Sequence, residues 1–146
     1  MSGFWGSFNS KMDGKGRINF PAKFRKNLTE EDLDTLILIR GSEGCISCYP
    51  LTSWEAKIQQ IRDQVASDRE FAVVSRQLMY QASEQTVDKQ GRLNLTSELV
   101  KYAELNSDVL IMGYENKIEI WNRDKYNQLV KSTEVDYLKI TSELDI

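Results

Sequence analysis

The sequence contains no histidine among its 146 residues and only two cysteines. Without histidine, the chain lacks the most common general base and the most common neutral metal ligand of proteins. Cys45 and Cys48 form a lone Cys-x-x-Cys pair, whereas a structural zinc site requires four ligands. In a strand, their odd spacing would place them on opposite faces. We therefore interpret both as small hydrophobic side chains, with a zinc ion shared across an oligomer interface as the alternative.

Long apolar segments and secretion signals are also absent. No apolar run approaches the roughly 20 residues that a transmembrane helix requires, and the N-terminus lacks the basic start and apolar stretch of a secretory signal. At 40% hydrophobic and 28% charged residues, the composition is that of an ordinary globular protein. There is also no glycine-rich phosphate loop. We therefore expect a cytoplasmic protein that is not an enzyme, binds no cofactor and enters no membrane.

What the sequence does contain is an internal repeat. The segment Met12–Phe20 recurs 75 residues later as Val87–Leu95, with an apolar residue, Asp, two variable residues, Gly, Arg, an apolar residue, Asn and an apolar residue in the same order. Apolar segments beyond this motif recur as well, at 36–41 and 109–113 and at 46–49 and 118–121. A duplication of this size indicates two copies of one supersecondary unit, which rarely buries a core alone. The Asp-x-x-Gly-Arg turn, used twice, is therefore where we look for function.

Each repeat predicts a strand, a tight turn, a second strand, a short helix and a hairpin. Gly16 and Gly91 supply the positive φ that a tight turn needs, and the Asp that opens each turn can accept hydrogen bonds from its backbone N–H groups. Pro21 suits the first turn of the first short helix. The continuous apolar runs 36–39 and 109–112 predict strands that are buried on both faces.

The segment between the repeats has a helical period instead. Apolar residues fall on one face of each of two helices, with Trp54, Ile58, Ile61 and Val65 in the first and Phe71, Val74 and Leu78 in the second. A further helix is predicted after Trp121, and the acidic end of the chain is either frayed or bound to a partner. These patterns divide the chain into a first repeat at 7–53, a helical connection at 54–80, a second repeat at 81–126 and a C-terminal helical tail at 127–146.

Charge is distributed unevenly along the chain. The net charge of −3 argues by itself against nucleic acid as a partner. Residues 11–26, however, include six basic side chains and one acidic side chain, whereas residues 86–101 include three basic and two acidic ones. A localised basic segment on an acidic chain is typical of nucleic-acid binding. Within it, we expect Lys15, Lys23 and Arg25 to neutralise phosphates.

Taken together, these motifs resemble the MraZ family. The string Asp13–Arg25 resembles the first repeat of that family, and the strings Val87–Leu93 and Lys117–Trp121 resemble its second. Thr96 and Val100 depart from the family's pattern, which more often has proline and arginine there. The resemblance implies an α+β, mainly β fold. It would consist of two pseudo-symmetric, swapped-hairpin half-barrels related to AbrB, with flanking helices, assembled into an oligomeric ring.

The resemblance also implies a function. Members of the family are DNA-binding transcriptional regulators of the bacterial division and cell-wall gene cluster, acting on short repeated sites upstream of their own gene. The implied partners are double-stranded DNA and further copies of the chain, and the implied location is the nucleoid. Asp13 with Arg17, and Asp88 with Arg92, correspond to the family's DNA-contacting elements. Because a ring bound at repeated promoter sites would obstruct polymerase, repression is the expected sign.

Each functional assignment has a plainer alternative. Arg17 and Asp13 alternatively form an ion pair that only braces the turn. Asn19 and Asn94 can hydrogen-bond bases, but the exposed half of an alternating strand is our preferred interpretation. For the whole protein, the alternative is an oligomeric scaffold or adaptor that binds a protein through its helices and tail. A scaffold has no need for six basic residues around one turn.

Overall fold

The two repeats fold into the same series of elements. A computed structural model describes residues 3–146. The first repeat contains β1 (Ser7–Lys11), β2 (Arg17–Asn19), α1 (Ala22–Arg25), β3 (Thr35–Arg40) and β4 (Ile46–Pro50), and it is followed by α2 (Leu51–Gln64) and α3 (Asp68–Gln81). The second contains β5 (Ser83–Thr86), β6 (Arg92–Asn94), α4 (Ser97–Tyr102), β7 (Asp108–Tyr114) and β8 (Lys117–Asn122), and it is followed by α5 (Arg123–Ser132) and α6 (Glu134–Glu143). The predicted order of strand, turn, strand, short helix and hairpin is confirmed in both.

The strands are exchanged between the repeats. A six-stranded antiparallel sheet has the order β1-β7-β8-β4-β3-β5, and β2 and β6 form a separate two-stranded sheet. The first strand of each repeat therefore pairs with the third strand of the other, and the order reads the same when the repeats are interchanged. This is the swapped-hairpin topology that the family resemblance implies. Within residues 3–146 the sheets do not close into a barrel.

The register places a pseudo-twofold axis through both sheets. In the large sheet, Ser47 pairs with Glu119, its own counterpart in the second repeat. In the small sheet, Ile18 pairs with its counterpart Leu93. The two repeats are consequently related by an axis that passes between the β2 and β6 strands, which fixes how the two turns lie relative to each other.

One hydrophobic core is shared by both repeats. It includes Ile18, Phe24 and Leu38 from the first repeat and Leu93, Leu99, Ile111 and Ile120 from the second. Phe24 is completely buried, and its ring meets those of Phe4, Phe8 and Phe20 edge to face. Burial of one such side chain contributes roughly 1.5–3 kcal/mol. Because each repeat supplies about half of this core, neither is complete without the other.

The outer face of the sheet is covered most fully over the first repeat. Helices α2 and α3 pack there, and Trp54 lies with Ile37, Ile39 and Tyr49 in a second apolar cluster. β3 is therefore buried on both faces, as predicted. The same prediction for β7 is wrong, because alternate residues of this strand stay partly exposed. Over the second repeat α5 packs against β7 and β8, with Tyr126 against the buried Trp121, and it leaves these residues partly exposed.

The C-terminal segment forms the helix α6 rather than a frayed end. The helices outside the repeats raise the helical fraction to 44%, against 28% strand, so the fold is α+β with more helix than a mainly β fold would have. α6 leaves apolar side chains exposed, among them Val135 and Tyr137. Of the helices within residues 3–146, none is both long enough and apolar enough to cross a lipid bilayer.

Candidate nucleic-acid interface

The two-stranded sheet brings both Asp-x-x-Gly-Arg motifs into one site. Arg17 pairs with Asn94, Ile18 with Leu93, and Asn19 with Arg92. Because successive side chains of a strand point to opposite faces, the buried Ile18 and Leu93 point into the core. The two arginines and two asparagines share the opposite, outer face. We call this surface, made of Arg17, Asn19, Arg92 and Asn94, the ribbon face.

The arginines lie diagonally across the ribbon face. In an antiparallel pair, opposite residues have Cβ atoms about 4.5–5.5 Å apart, and diagonal neighbours are about 7–8 Å apart. Arg17 and Arg92 are diagonal neighbours in the β2–β6 register. Two motifs separated by 75 residues in sequence therefore form a single surface and not two separate heads.

The first turn is organised by Asp13. Its Oδ1 accepts hydrogen bonds from the backbone N–H groups of Lys15 and Arg17, both at 2.9 Å, and its Oδ2 accepts one from Arg17 Nε at 2.8 Å. Gly16 has a φ of +80°, and a Cβ at this position would stand 2.8 Å from the backbone oxygen of Leu95. Only glycine therefore fits here, and the carboxylate sets the direction in which the Arg17 side chain leaves the turn.

The second turn repeats this arrangement with one looser contact. Asp88 Oδ1 accepts from the N–H groups of Gln90 and Arg92, both at 2.9 Å. Asp88 Oδ2 is 3.5 Å from Arg92 Nε, an ion pair without hydrogen-bond geometry, and this Nε has no hydrogen-bond partner within residues 3–146. Arg92 is consequently held less tightly than Arg17.

Both turn carboxyls have a lowered pKa. The largest cause is the hydrogen bond from a backbone N–H, that of Arg17 for Asp13 and that of Arg92 for Asp88, because it favours the charged form. Both carboxylates are therefore anionic at neutral pH. Each lies beside the Nε of its arginine, and within residues 3–146 the terminal Nη groups of Arg17 and Arg92 make no hydrogen bond. The ion pair that braces the turn also aims the guanidinium, so the two interpretations of these arginines are compatible.

Strand exchange places each short helix beside the turn of the other repeat. Phe20 donates a backbone hydrogen bond to the Gly91 oxygen at 2.8 Å, and Leu95 donates one to the Gly16 oxygen at 2.8 Å. Arg25 Nη1 consequently lies 3.8 Å from the position that a Cβ on Gly91 would occupy. The basic residues of the first repeat are thus divided between the two turns, which a charge count along the sequence does not reveal.

The three side chains predicted to neutralise phosphates occupy different environments. Lys15 is exposed on the first turn. Lys23 Nζ donates to the backbone oxygen of Trp5 at 3.4 Å, on the side of the N-terminal segment. Arg25 Nη2 lies 3.2 Å from Asp34 Oδ2, so its charge is paired within the protein. Of the three, Lys15 is the one that the fold leaves beside the ribbon face without an ion pair among residues 3–146.

Sequence reasoning missed one basic residue of the site. Lys89 is exposed on the second turn. It aligns with Gly14 and not with Lys15, so a position-by-position comparison of the repeats passes over it. Its position within the second turn, between Asp88 and Gly91, could have identified it as a basic residue of this surface.

The cysteines take no part in this surface. Cys45 and Cys48 are fully buried, and burial raises the pKa of Cys45 to about 12 and that of Cys48 as well. Buried thiols of this kind are unreactive and are poor metal ligands. The described part of the chain contains no cluster of three or more Cys, Asp or Glu side chains that could hold a metal ion. Both side chains are buried, as their interpretation as small hydrophobic residues predicts.

The fold and the ribbon face define a class of protein: two strand-exchanged repeats that present one arginine-bearing β-ribbon. Comparison with known proteins identifies the family. The family model described as "MraZ protein, putative antitoxin-like" matches residues 4–75 and 78–144. Each matched segment contains one Asp-x-x-Gly-Arg turn.

Individual relatives match over nearly their whole length. Proteins named transcriptional regulator MraZ are similar to this chain at 37% identity in Natranaerobius thermophilus, 38% in Lactobacillus johnsonii and 31% in Clostridium tetani. Each alignment covers 97% of this chain and 96% of the relative. The chain belongs to the MraZ family.

Proposed function

We propose that this protein is a transcriptional regulator that binds double-stranded DNA through the ribbon face. The observation that carries the proposal is the β2–β6 register, which gathers both aspartate-held arginines and two exposed asparagines on one surface. The major groove of B-DNA is about 12 Å wide and admits a two-stranded β-ribbon. The names of the relatives, transcriptional regulator MraZ, support the same assignment.

The chemistry of the surface suits this groove. A guanidinium held by its Nε edge keeps its two Nη groups for bidentate contact with guanine O6 and N7 or with a phosphate. Three strand residues span about 10 Å, so the two turns lie at opposite ends of the ribbon, near opposite walls of the groove. Lys15 and Lys89 on these turns, with Lys23 and Arg25 farther out, would contact phosphates and fix the register.

The proposal extends to assembly and target. In it, the repeats at 7–53 and 81–126 form the DNA-binding unit, while the helical segments at 54–80 and 127–146 join copies of the chain into a ring. Exposed apolar side chains on α3 and α6 support this role, including Tyr80 at 93% and Val135 at 79% exposure. A ring brings several ribbon faces to repeated sites, and linked contacts raise avidity by roughly 10²- to 10⁴-fold.

The proposed biological role is the one that the family resemblance implies. We propose repression at repeated promoter sites upstream of the division and cell-wall gene cluster, by a protein located in the cytoplasm at the nucleoid. A scaffold or adaptor is the second candidate, because α6 exposes apolar side chains next to an acidic tail. A scaffold does not account for two arginines held by carboxylates on one exposed ribbon.

The test is binding to a labelled duplex from the region upstream of the gene, across a salt titration. Arg17→Ala is compared with Arg69→Ala, which removes the same charge from the exposed surface of α3, and each variant is sized by chromatography. We expect affinity to fall linearly on a logarithmic salt scale, and Arg17→Ala to lose at least roughly tenfold in affinity, as expected for one good arginine contact. Arg69→Ala should bind like the wild type. Failure of the intact wild-type assembly to bind at low salt would favour the scaffold.

A further inference from the structure

The asparagines of the ribbon face stand at strand positions where asparagine is an unusual residue. Asn19 and Asn94 stand at equivalent places in the two repeats, at the end of strands of only three residues. Asparagine is among the residues depleted from β-strands, where threonine or another β-branched residue fits better. An exposed strand position that needed only polarity would not favour asparagine twice. The residue choice therefore points to the amide group itself.

Both amides are exposed and uncommitted. Asn19 and Asn94 are exposed side chains, and within residues 3–146 neither side chain makes a hydrogen bond. Two other asparagines have structural roles instead: Asn27 Nδ2 donates to the Gly3 oxygen at 3.2 Å, and Asn122 Oδ1 caps α5 by accepting from Lys125 N at 3.1 Å. Each ribbon asparagine therefore keeps its amide nitrogen free to donate and its amide oxygen free to accept on the surface that is proposed to meet DNA.

We infer that Asn19 and Asn94 are base-reading residues, each reading adenine beside a guanine read by the arginine opposite to it. This inference rests on the proposed function and specifies it. An asparagine amide matches adenine, because its oxygen accepts from N6 while its nitrogen donates to N7. Arginine matches guanine O6 and N7 in the same groove. Each cross-strand pair on the ribbon face therefore contains one side chain suited to guanine and one suited to adenine.

The spacing fits neighbouring base pairs. Asn94 lies opposite Arg17, and Asn19 lies opposite Arg92. Opposite Cβ atoms are about 4.5–5.5 Å apart, and base pairs are stacked about 3.4 Å apart along the duplex. Each Arg–Asn pair therefore spans adjacent base pairs and not distant ones.

The pseudo-twofold axis adds a symmetry requirement. The axis passes through the Ile18–Leu93 pair and interchanges the two Arg–Asn pairs. In duplex DNA a local twofold axis interchanges the two strands. If both axes coincide, the pair with Arg17 reads one strand and the pair with Arg92 reads the other. The preferred site of one protomer is then a short inverted element with a guanine and an adjacent adenine on each strand.

The experiment is a selection from a randomised 20-base-pair duplex pool with the full-length protein, followed by affinity measurements on the selected duplex and its single-base variants. Asn19→Thr and Asn94→Thr are the test variants, because threonine favours the strand and keeps the ribbon folded. Asn116→Ala is the control, since Asn116 is an exposed asparagine in the turn between β7 and β8, outside both the ribbon face and the helical segments proposed to form the ring. Circular dichroism and urea unfolding verify that each variant is folded.

We expect each threonine variant to lose preference for adenine at one position, by roughly 5- to 150-fold, while the preference for guanine is retained. The salt slope and the affinity for non-selected DNA should not change, because no phosphate contact is removed. The control should match the wild type. If the double threonine variant keeps wild-type preference at every position while Arg17→Ala abolishes binding, the inference is overturned and the proposed function stands. If the wild type binds DNA but selects no sequence, the inference is overturned, and if it binds no duplex even at low salt, the proposed function is overturned as well.

Discussion

Three glycines of the two turns provide a graded test of how the ribbon is held together. Gly14 has ordinary φ, and a Cβ there would have no heavy atom within 4 Å. Gly91 has a φ of +80°, but its nearest neighbour would be the flexible Arg25 side chain at 3.8 Å. Gly16 has the same φ of +80°, and its Cβ would stand 2.8 Å from the backbone oxygen of Leu95. Replacement by alanine therefore causes no strain at Gly14, backbone strain at Gly91, and both backbone strain and a steric clash at Gly16.

The expected costs follow in order. Gly14→Ala should leave the free energy of unfolding unchanged or raise it by up to about 1 kcal/mol, because alanine restricts the unfolded chain. Gly91→Ala should lower it by about 1–2 kcal/mol, the cost of a left-handed conformation for a residue with a Cβ. Gly16→Ala adds the displacement of a backbone carbonyl, which costs a further 1–3 kcal/mol or so when an overpacked site must shift.

Urea unfolding followed by circular dichroism measures these differences. DNA binding, measured well below the unfolding transition, should fall further in Gly16→Ala than in Gly91→Ala. The reason is that a Cβ on Gly16 would displace the backbone of Leu95, which directly follows the β6 residue paired with Arg17, whereas a Cβ on Gly91 would meet only the flexible Arg25 side chain. Equal stability of the two variants would refute the reasoning, because it would mean that the turn does not approach Leu95 as closely as described.

Three further predictions concern the core, the turn carboxylates and the thiols. Phe24→Ala should lower the free energy of unfolding by about 3–5 kcal/mol, measured in urea, because this buried ring meets three others. Asp13 and Asp88 have folded pKa values below the ordinary 3.8, so their contribution to stability is complete above pH 3.8 and is lost as the pH falls through the folded values. Urea unfolding of the wild type should show this loss, and the double variant to asparagine should show less of it, because Asp32 and Asp108, whose pKa values are also lowered, remain. Cys45 and Cys48 should resist alkylation at neutral pH until urea unfolds the chain, as mass spectrometry would show; rapid alkylation of the folded protein would contradict their burial.

The charge pattern shows where sequence reasoning was incomplete. The basic segment at 11–26 predicted one basic repeat, but its members point to different places. Lys11 pairs with Asp108 on β7, and Arg25 pairs with Asp34 while approaching the turn of the other repeat. A count of charges along the sequence assumes that residues close in sequence are also close in space. Strand exchange between the repeats makes that assumption invalid here.

The sequence by itself determined the two turns. Each depends on contacts within five residues: a carboxylate that accepts N–H groups two and four residues later, and a glycine that adopts positive φ. Such short-range interactions depend only on residues that are close in sequence, so the motif was sufficient to predict them. The helices of the connection were likewise predictable, because an apolar face repeats with the helical period.

Only the tertiary structure decided that the turns form one site. The register that sets Arg17 opposite Asn94 joins strands about 75 residues apart in sequence, and three-residue strands carry no periodic pattern that selects a partner. What selects it is the shared core, which requires Ile18 and Leu93 to be buried against each other on the pseudo-twofold axis. Burial of those two side chains turns the ribbon so that both arginines and both asparagines face outward together.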